Sequence, residues 1–177
     1  MDFSVYGPFG IERKSNGRID TSKQSKQNFC STVEARKTKL QLSTGCYVFV
    51  LKSGRGSKAW YVGKAEGQSF TKEIFATHKT DIFNDVLASK RGIPQIYLIP
   101  RLSTNGKLCW PGKMRRQTID FLETTLIGMA LSRNPELKNI RDTKMLREIR
   151  VPAIIGGNAL GHPGKPAISL KRILKSG

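Results

Sequence analysis

Acidic residues are few in this chain. Against 31 lysines and arginines stand 13 aspartates and glutamates, a formal charge of +18 with both histidines neutral, which suits a polyanionic partner. Cysteine is scarce too. Cys30, Cys46 and Cys109 are odd in number and far apart, which argues against a disulfide framework and leaves no CxxC pair for zinc. His78 and His162 therefore lack the partners of a structural zinc site. No run approaches the roughly 18 to 20 consecutive apolar residues of a membrane span. The opening Met1-Asp2-Phe3 lacks the regions of a signal peptide, and no internal repeat is present. A reducing, cytoplasmic setting and no membrane partner are expected.

What is present reads as one folded domain. A chain of 177 residues is long enough to bury a core, and 8 Phe, 4 Tyr and 2 Trp are too many for a disordered basic tail. The positive charge is distributed: residues 1–44 hold 8 basic and 4 acidic groups, 45–140 hold 15 and 7, and 141–177 hold 8 and 2. With no basic amphipathic helix standing out, nucleic acid is the expected partner in preference to an anionic membrane.

Residues 1–28 are rich in Gly, Ser, Lys and Asn and read as an irregular lead-in, followed by a short helix over 31–42. The run Gly45 to Leu51 reads as a buried strand, 52–58 as a turn, and Trp60-Tyr61-Val62 as a second strand completing a hairpin. Ser69 caps an expected helix to about Thr77, and Asp81 a second to about Lys90. Gln95 to Ile99, between two prolines, is a third strand, and 103–113 a loop. Arg115 to Leu131 gives the strongest helical pattern, with Ile119, Leu122, Leu126, Met129 and Ala130 at three-and-four spacing and Asn134-Pro135 as the stop. A Gly/Pro loop over 156–166 and a last helix near 168–174 complete the chain.

Three features carry chemistry. Glu123 falls on the apolar side of its helix, where an unpaired carboxylate is costly and would neutralise, find a cation or hold a metal; pairing with a Lys or Arg at the stripe's edge is the plainer reading. Tyr47 and Tyr61 occupy comparable places in adjacent strands, where tyrosines are most often packing residues. Gly63-Lys64 follows the second strand: the glycine lets a ligand approach the backbone and the lysine can meet a phosphate, or can be a solvated turn residue.

The order Gly45-Cys46-Tyr47, Tyr61-Val62-Gly63-Lys64, a helical stretch ending in His78, Glu123 in Phe-Leu-Glu-Thr-Thr, and Asn134-Pro135 through Asn139 resembles the GIY-YIG nuclease family over about residues 45–140. The resemblance implies an α/β fold of the α+β kind, a small three-stranded mixed sheet flanked by helices, with 1–44 as an N-terminal extension packed on the domain and 141–177 as a basic C-terminal extension. It implies a metal-dependent endonuclease acting on DNA, with RNA left open. Tyr61 would act as general base or position the attacking water, with Tyr47 in the same pocket. Glu123 would hold one Mg²⁺ or Mn²⁺. Lys64 and His78 would contact the scissile phosphate or relay a proton, Gly63 would admit the substrate, and Asn139 would support the site. The family pattern also has an arginine in the first helix, and Phe70 to His78 contains none. Lys72 would be the substitute, without the bidentate fork of an arginine, or Glu73 would instead be a second acidic ligand or an orienter of His78.

Other patterns carry less. Gly54 to Ala59 fits a dinucleotide fingerprint only superficially, because it leads into a strand. Gly164-Lys165 lacks the upstream glycine and the Ser/Thr of a phosphate-binding loop. Cys46 reads as core. Two rival functions remain: a nucleic-acid-binding module of the same fold without turnover, and a basic structural protein seated on RNA.

Overall fold

In the computed structural model, residues 2–54, 56–112, 117–139, 143, 148 and 164–174 are described. The chain divides into two units, Met1–Lys138 and Asn139–Gly177.

The first unit is an α+β fold on a four-stranded antiparallel sheet. Its strands are β1 (Tyr6–Gly10), β2 (Gly45–Ser53), β3 (Gly56–Ala65) and β4 (Ile93–Pro100), in the order β1-β4-β2-β3. The expectation of three strands in a mixed sheet is corrected: every pairing is antiparallel. The added strand comes from the segment expected to be irregular. Its alternation is too short to see, since Phe9 alone among its five residues is buried. Residues 1–44 therefore contribute a strand to the sheet itself.

The helices of this unit are α1 (Lys23–Arg36), α2 (Phe70–Ile74), α3 (Thr77–Ser89) and α4 (Gln117–Arg133). α1 starts earlier than the 31–42 expected, because the Ser22 hydroxyl accepts the Ser25 N–H and fixes the first turn. Ser69 caps α2 as expected, accepting the Lys72 N–H, but α2 is only five residues long. α3 begins at Thr77, with Ala76 and not Asp81 at the cap. α4 ends where Asn134-Pro135 predicted. Buried Asn134 secures that end by donating to the Ala59 carbonyl at 2.7 Å. The expected start at Arg115, the loop end at Lys113, most of the 156–166 loop and His162 lie outside the described residues.

Strand alternation sends successive side chains to opposite faces. On one face Tyr47, Phe49, Leu51 and Tyr61 join Phe29 of α1, Phe70 of α2 and Phe83 of α3 in the main core. Phe49 stacks on Phe83 with centroids 4.3 Å apart. On the other face Cys46 and Ile99 meet Ile119 of α4, with Leu122 and Leu126 half-buried beside them. The apolar stripe of α4 is narrower than the sequence suggested. Ile119 and Ile127 are its buried residues, Glu123 lies between them, and Met129 is 64% exposed.

In the second unit, α5 (Lys165–Leu174) starts three residues before the expected 168, and the Thr143 hydroxyl donates to the Asn139 carbonyl at 2.7 Å. Among the described residues no helix is long and apolar enough to cross a membrane.

Candidate functional site

The β2–β3 hairpin sets Tyr47 opposite Gly63 and Phe49 opposite Tyr61. The two tyrosines are thus diagonal neighbours on one face, with ring centroids 6.3 Å apart. Gly63 is explained by packing. A Cβ there would lie 2.5 Å from the Tyr47 hydroxyl oxygen and closer still to its ring, and the ring is fully buried. Gly63→Ala is accordingly expected to lower stability by about 1–3 kcal/mol, the usual cost of overpacking. The penalty should shrink in a Tyr47→Leu background, as a double-mutant cycle of thermal melts would show.

Tyr61 anchors a short polar chain. Its hydroxyl accepts a hydrogen bond from Lys79 Nζ at 2.6 Å, Lys79 lies 3.4 Å from the Glu73 carboxylate, and Glu73 accepts from Gln68 Nε2 at 2.6 Å. Burial opposes the Lys79 charge, but the Tyr61 hydrogen bond and Glu73 outweigh it and hold the ammonium above the ordinary lysine pKa. Tyr47 differs. Its hydroxyl is buried without a partner among the described residues, and burial, reinforced by Tyr61, raises its pKa well above the ordinary phenol value. It is therefore a poor base, and it is the polar atom in this region whose hydrogen bonding is left open.

Three residues along β3 from Tyr61, the Lys64 side chain points the other way, toward α4. Lys64 meets Asp120 in a hydrogen-bonded ion pair and Glu123 at 3.5 Å. Both carboxylates are only 18% exposed. Because 120 and 123 are three apart on a helix, they share a face. Desolvation raises the Glu123 pKa above its ordinary value, with Lys64 opposing. Lys64, which burial alone would lower, is raised by its two partners. The two carboxylates account for the rise at Lys64, whereas at Glu123 burial outweighs the ammonium it shares with Asp120.

The tyrosine cluster and the carboxylate cluster thus occupy opposite faces of β3, whereas the sequence suggested a single pocket. β3 is an edge strand, and each cluster feels the charge of the other: Lys79 lowers the Glu123 pKa, and Glu123 raises that of Tyr47. Two ammoniums face three carboxylates in a protein of charge +18.

Tyr47, Tyr61, Gly63, Lys64 and Glu123 are brought together in this way. His78 and Lys72 are not: both side chains are exposed, with no hydrogen bond or ion pair among the described residues. Asn139 is buried and begins the second unit. Cys46 is core as expected, its thiol donating to the Ile119 carbonyl at 3.6 Å and pushed up by burial.

Sequence reasoning missed Lys79 and Asp120. The signal for Lys79 was helical phase, since it lies four residues before buried Phe83, whereas His78 falls off that face. Asp120 could have been found the same way, three residues before Glu123. Among the described residues no group of three His, Cys, Asp or Glu could hold a metal ion. Asp120 and Glu123 do offer converging hard oxygen donors at a position already taken by a cation. That suits Mg²⁺ or Mn²⁺, which Mg²⁺-type sites hold by one or two carboxylates with water and substrate phosphate in the remaining places. Comparison with protein-family models, curated proteins and solved structures finds no match to this chain.

Proposed function

We propose that the protein is a metal-dependent endonuclease of the GIY-YIG type that hydrolyses phosphodiester bonds in DNA. The observation that carries this reading is the Tyr61 hydroxyl held by a half-buried ammonium, with a pair of desolvated carboxylates on the other face of the same strand. Glu123, with Asp120 one turn earlier, would hold the divalent ion, which when bound supplies charge stabilisation at the phosphate and a more acidic water. Because Lys79 donates to the Tyr61 oxygen, the phenol's own proton would pass outward to a non-bridging oxygen of the substrate phosphate as the phenol oxygen takes one from the attacking water, a net transfer from water to phosphate. Lys79 acts through Tyr61 as a positioning residue, and Glu73 holds Lys79. The Lys64 ammonium has three donors, so one is left for a phosphate beside those directed at Asp120 and Glu123. One such site cuts one strand per event.

The second reading is a binding module without turnover. It is favoured by the absence of an arginine from Phe70–His78 and by Lys64, which already satisfies both carboxylates. An end-labelled DNA duplex separates the two. Divalent-dependent scission on a denaturing gel supports the nuclease; retardation on a native gel without scission supports the binder.

For either reading the logarithm of DNA affinity should fall steeply with the logarithm of salt, at about −0.9 per neutralised duplex phosphate and several units overall. A flat response in a fluorescence-anisotropy titration would remove DNA from the account.

A further inference from the structure

A polar cavity of about 270 Å³, unused by the reaction above, lies between the N-terminal turn, α1 and the start of α3. The turn is closed by the Arg13–Ile19 bridge and by hydrogen bonds of 2.8 Å from Lys14 N–H to the Arg18 carbonyl and from Gly17 N–H to the Lys14 carbonyl. It contributes Lys14, Asn16 and Arg18 to the lining. Lys26 comes from α1, its ammonium 5.7 Å from the Phe75 ring centroid, and Asn84 comes from α3.

The amide oxygens here are already used. Asn84 Oδ1 accepts the Ile19 N–H at 2.8 Å and Asn16 Oδ1 accepts the Arg18 N–H at 3.1 Å, so each residue has its NH₂ left to offer. Asp81 is the lining carboxylate, 3.6 Å from Arg18 with both side chains more than half exposed, so the pair is weak. Asp20 is within electrostatic reach of Lys14. Lys26 has no acidic partner among the described residues. Cations outnumber carboxylates and the remaining amide groups are donors, which is the chemistry that receives an anion with several oxygens.

We propose that this cavity binds a phosphate group of the DNA backbone, apart from the phosphate that is cut. The identity of the strand rests on the proposed action on DNA; the chemistry of the cavity does not. Its connection to the candidate site is short, since Thr77 and Thr80 line the cavity while Lys79, between them in α3, reaches Tyr61. A strand held here would be positioned relative to the tyrosine cluster.

The test is run in chelator, where no cutting occurs. Asn84→Asp keeps an oxygen for the Ile19 N–H but replaces the NH₂ with an anionic oxygen. It should weaken binding of a short labelled duplex by roughly tenfold or more, a loss of about 1.4 kcal/mol. Lys26→Ala should reduce the salt slope by about one unit. Thermal melts confirm that both variants are folded. In amide NMR spectra of the parent, the Asn16 and Asn84 side-chain signals should shift with the duplex and with inorganic phosphate. Parental affinity and slope in both variants would overturn the proposal. Amide shifts with inorganic phosphate alone, with duplex binding unaffected by Asn84→Asp, would replace the DNA backbone by a free phosphate and overturn it equally. A protein that cuts nothing yet loses DNA affinity on Asn84→Asp keeps this site while the nuclease reading fails.

Discussion

Glu123→Gln is expected to abolish cleavage while leaving DNA binding at least as strong as in the parent. The substitution keeps size and polarity but removes the charge that would hold a divalent ion. It also removes a negative charge from a substrate-facing region. Three stability effects accompany it. Mg²⁺ or Mn²⁺ should raise the melting temperature of the parent, because a ligand that prefers the folded state stabilises it, and this shift should be lost in the variant. In chelator the variant should melt no lower than the parent. Burial raises the Glu123 pKa, so folding disfavours the charged carboxylate at neutral pH. That penalty is relieved as pH falls through the raised value, and the parent should gain stability relative to Glu123→Gln on acidification. Calorimetric melts across pH, with and without the metal, read all of these. A metal-independent parent and a neutral variant would remove the metal from the account.

Tyr61→Phe is expected to lower cleavage by on the order of a hundredfold or more, the scale of lost proton-transfer help, with little change in folding. The ring is core, in edge contact with Phe83 at 6.0 Å, and phenylalanine keeps it. Lys79 loses one acceptor but retains Glu73 at 3.4 Å. DNA affinity and its salt dependence should be unchanged, since the hydroxyl is removed from the proton path and the backbone contacts remain. Single-turnover kinetics alongside thermal melts make the comparison. An unchanged rate with unchanged stability would reduce Tyr61 to a packing residue.

The hairpin and the helix around Glu123 were legible because their patterns are local. The run Gly45 to Leu51 is continuous and aromatic, and the stop at Asn134-Pro135 is chemical. β1 was not legible. Tyr6–Gly10 is a strand because β4 offers it an edge, and that partner lies some ninety residues away in sequence. The boundary of α3 failed for a related reason: Asp81 has the better capping side chain, but Thr80 joins the buried face of Phe83, Val86 and Leu87 in a helix that already runs from Thr77. The shift exchanged His78 for Lys79 at Tyr61. Tyr47, Tyr61 and Glu123 stood out from residue type and phase, and Lys79 and Asp120 lay within reach of the same phase argument, while the pairing of Glu123 with Lys64 needed the seating of α4 against β3.

Supercoiled plasmid incubated with the protein in Mg²⁺ or Mn²⁺, beside the same mixture in chelator, tests the central claim most directly. The account predicts nicked circles appearing before linear DNA, only with the divalent ion, and no nicked product from Glu123→Gln. Plasmid that stays supercoiled in the metal, or nicking that continues in chelator or with Glu123→Gln, would contradict it.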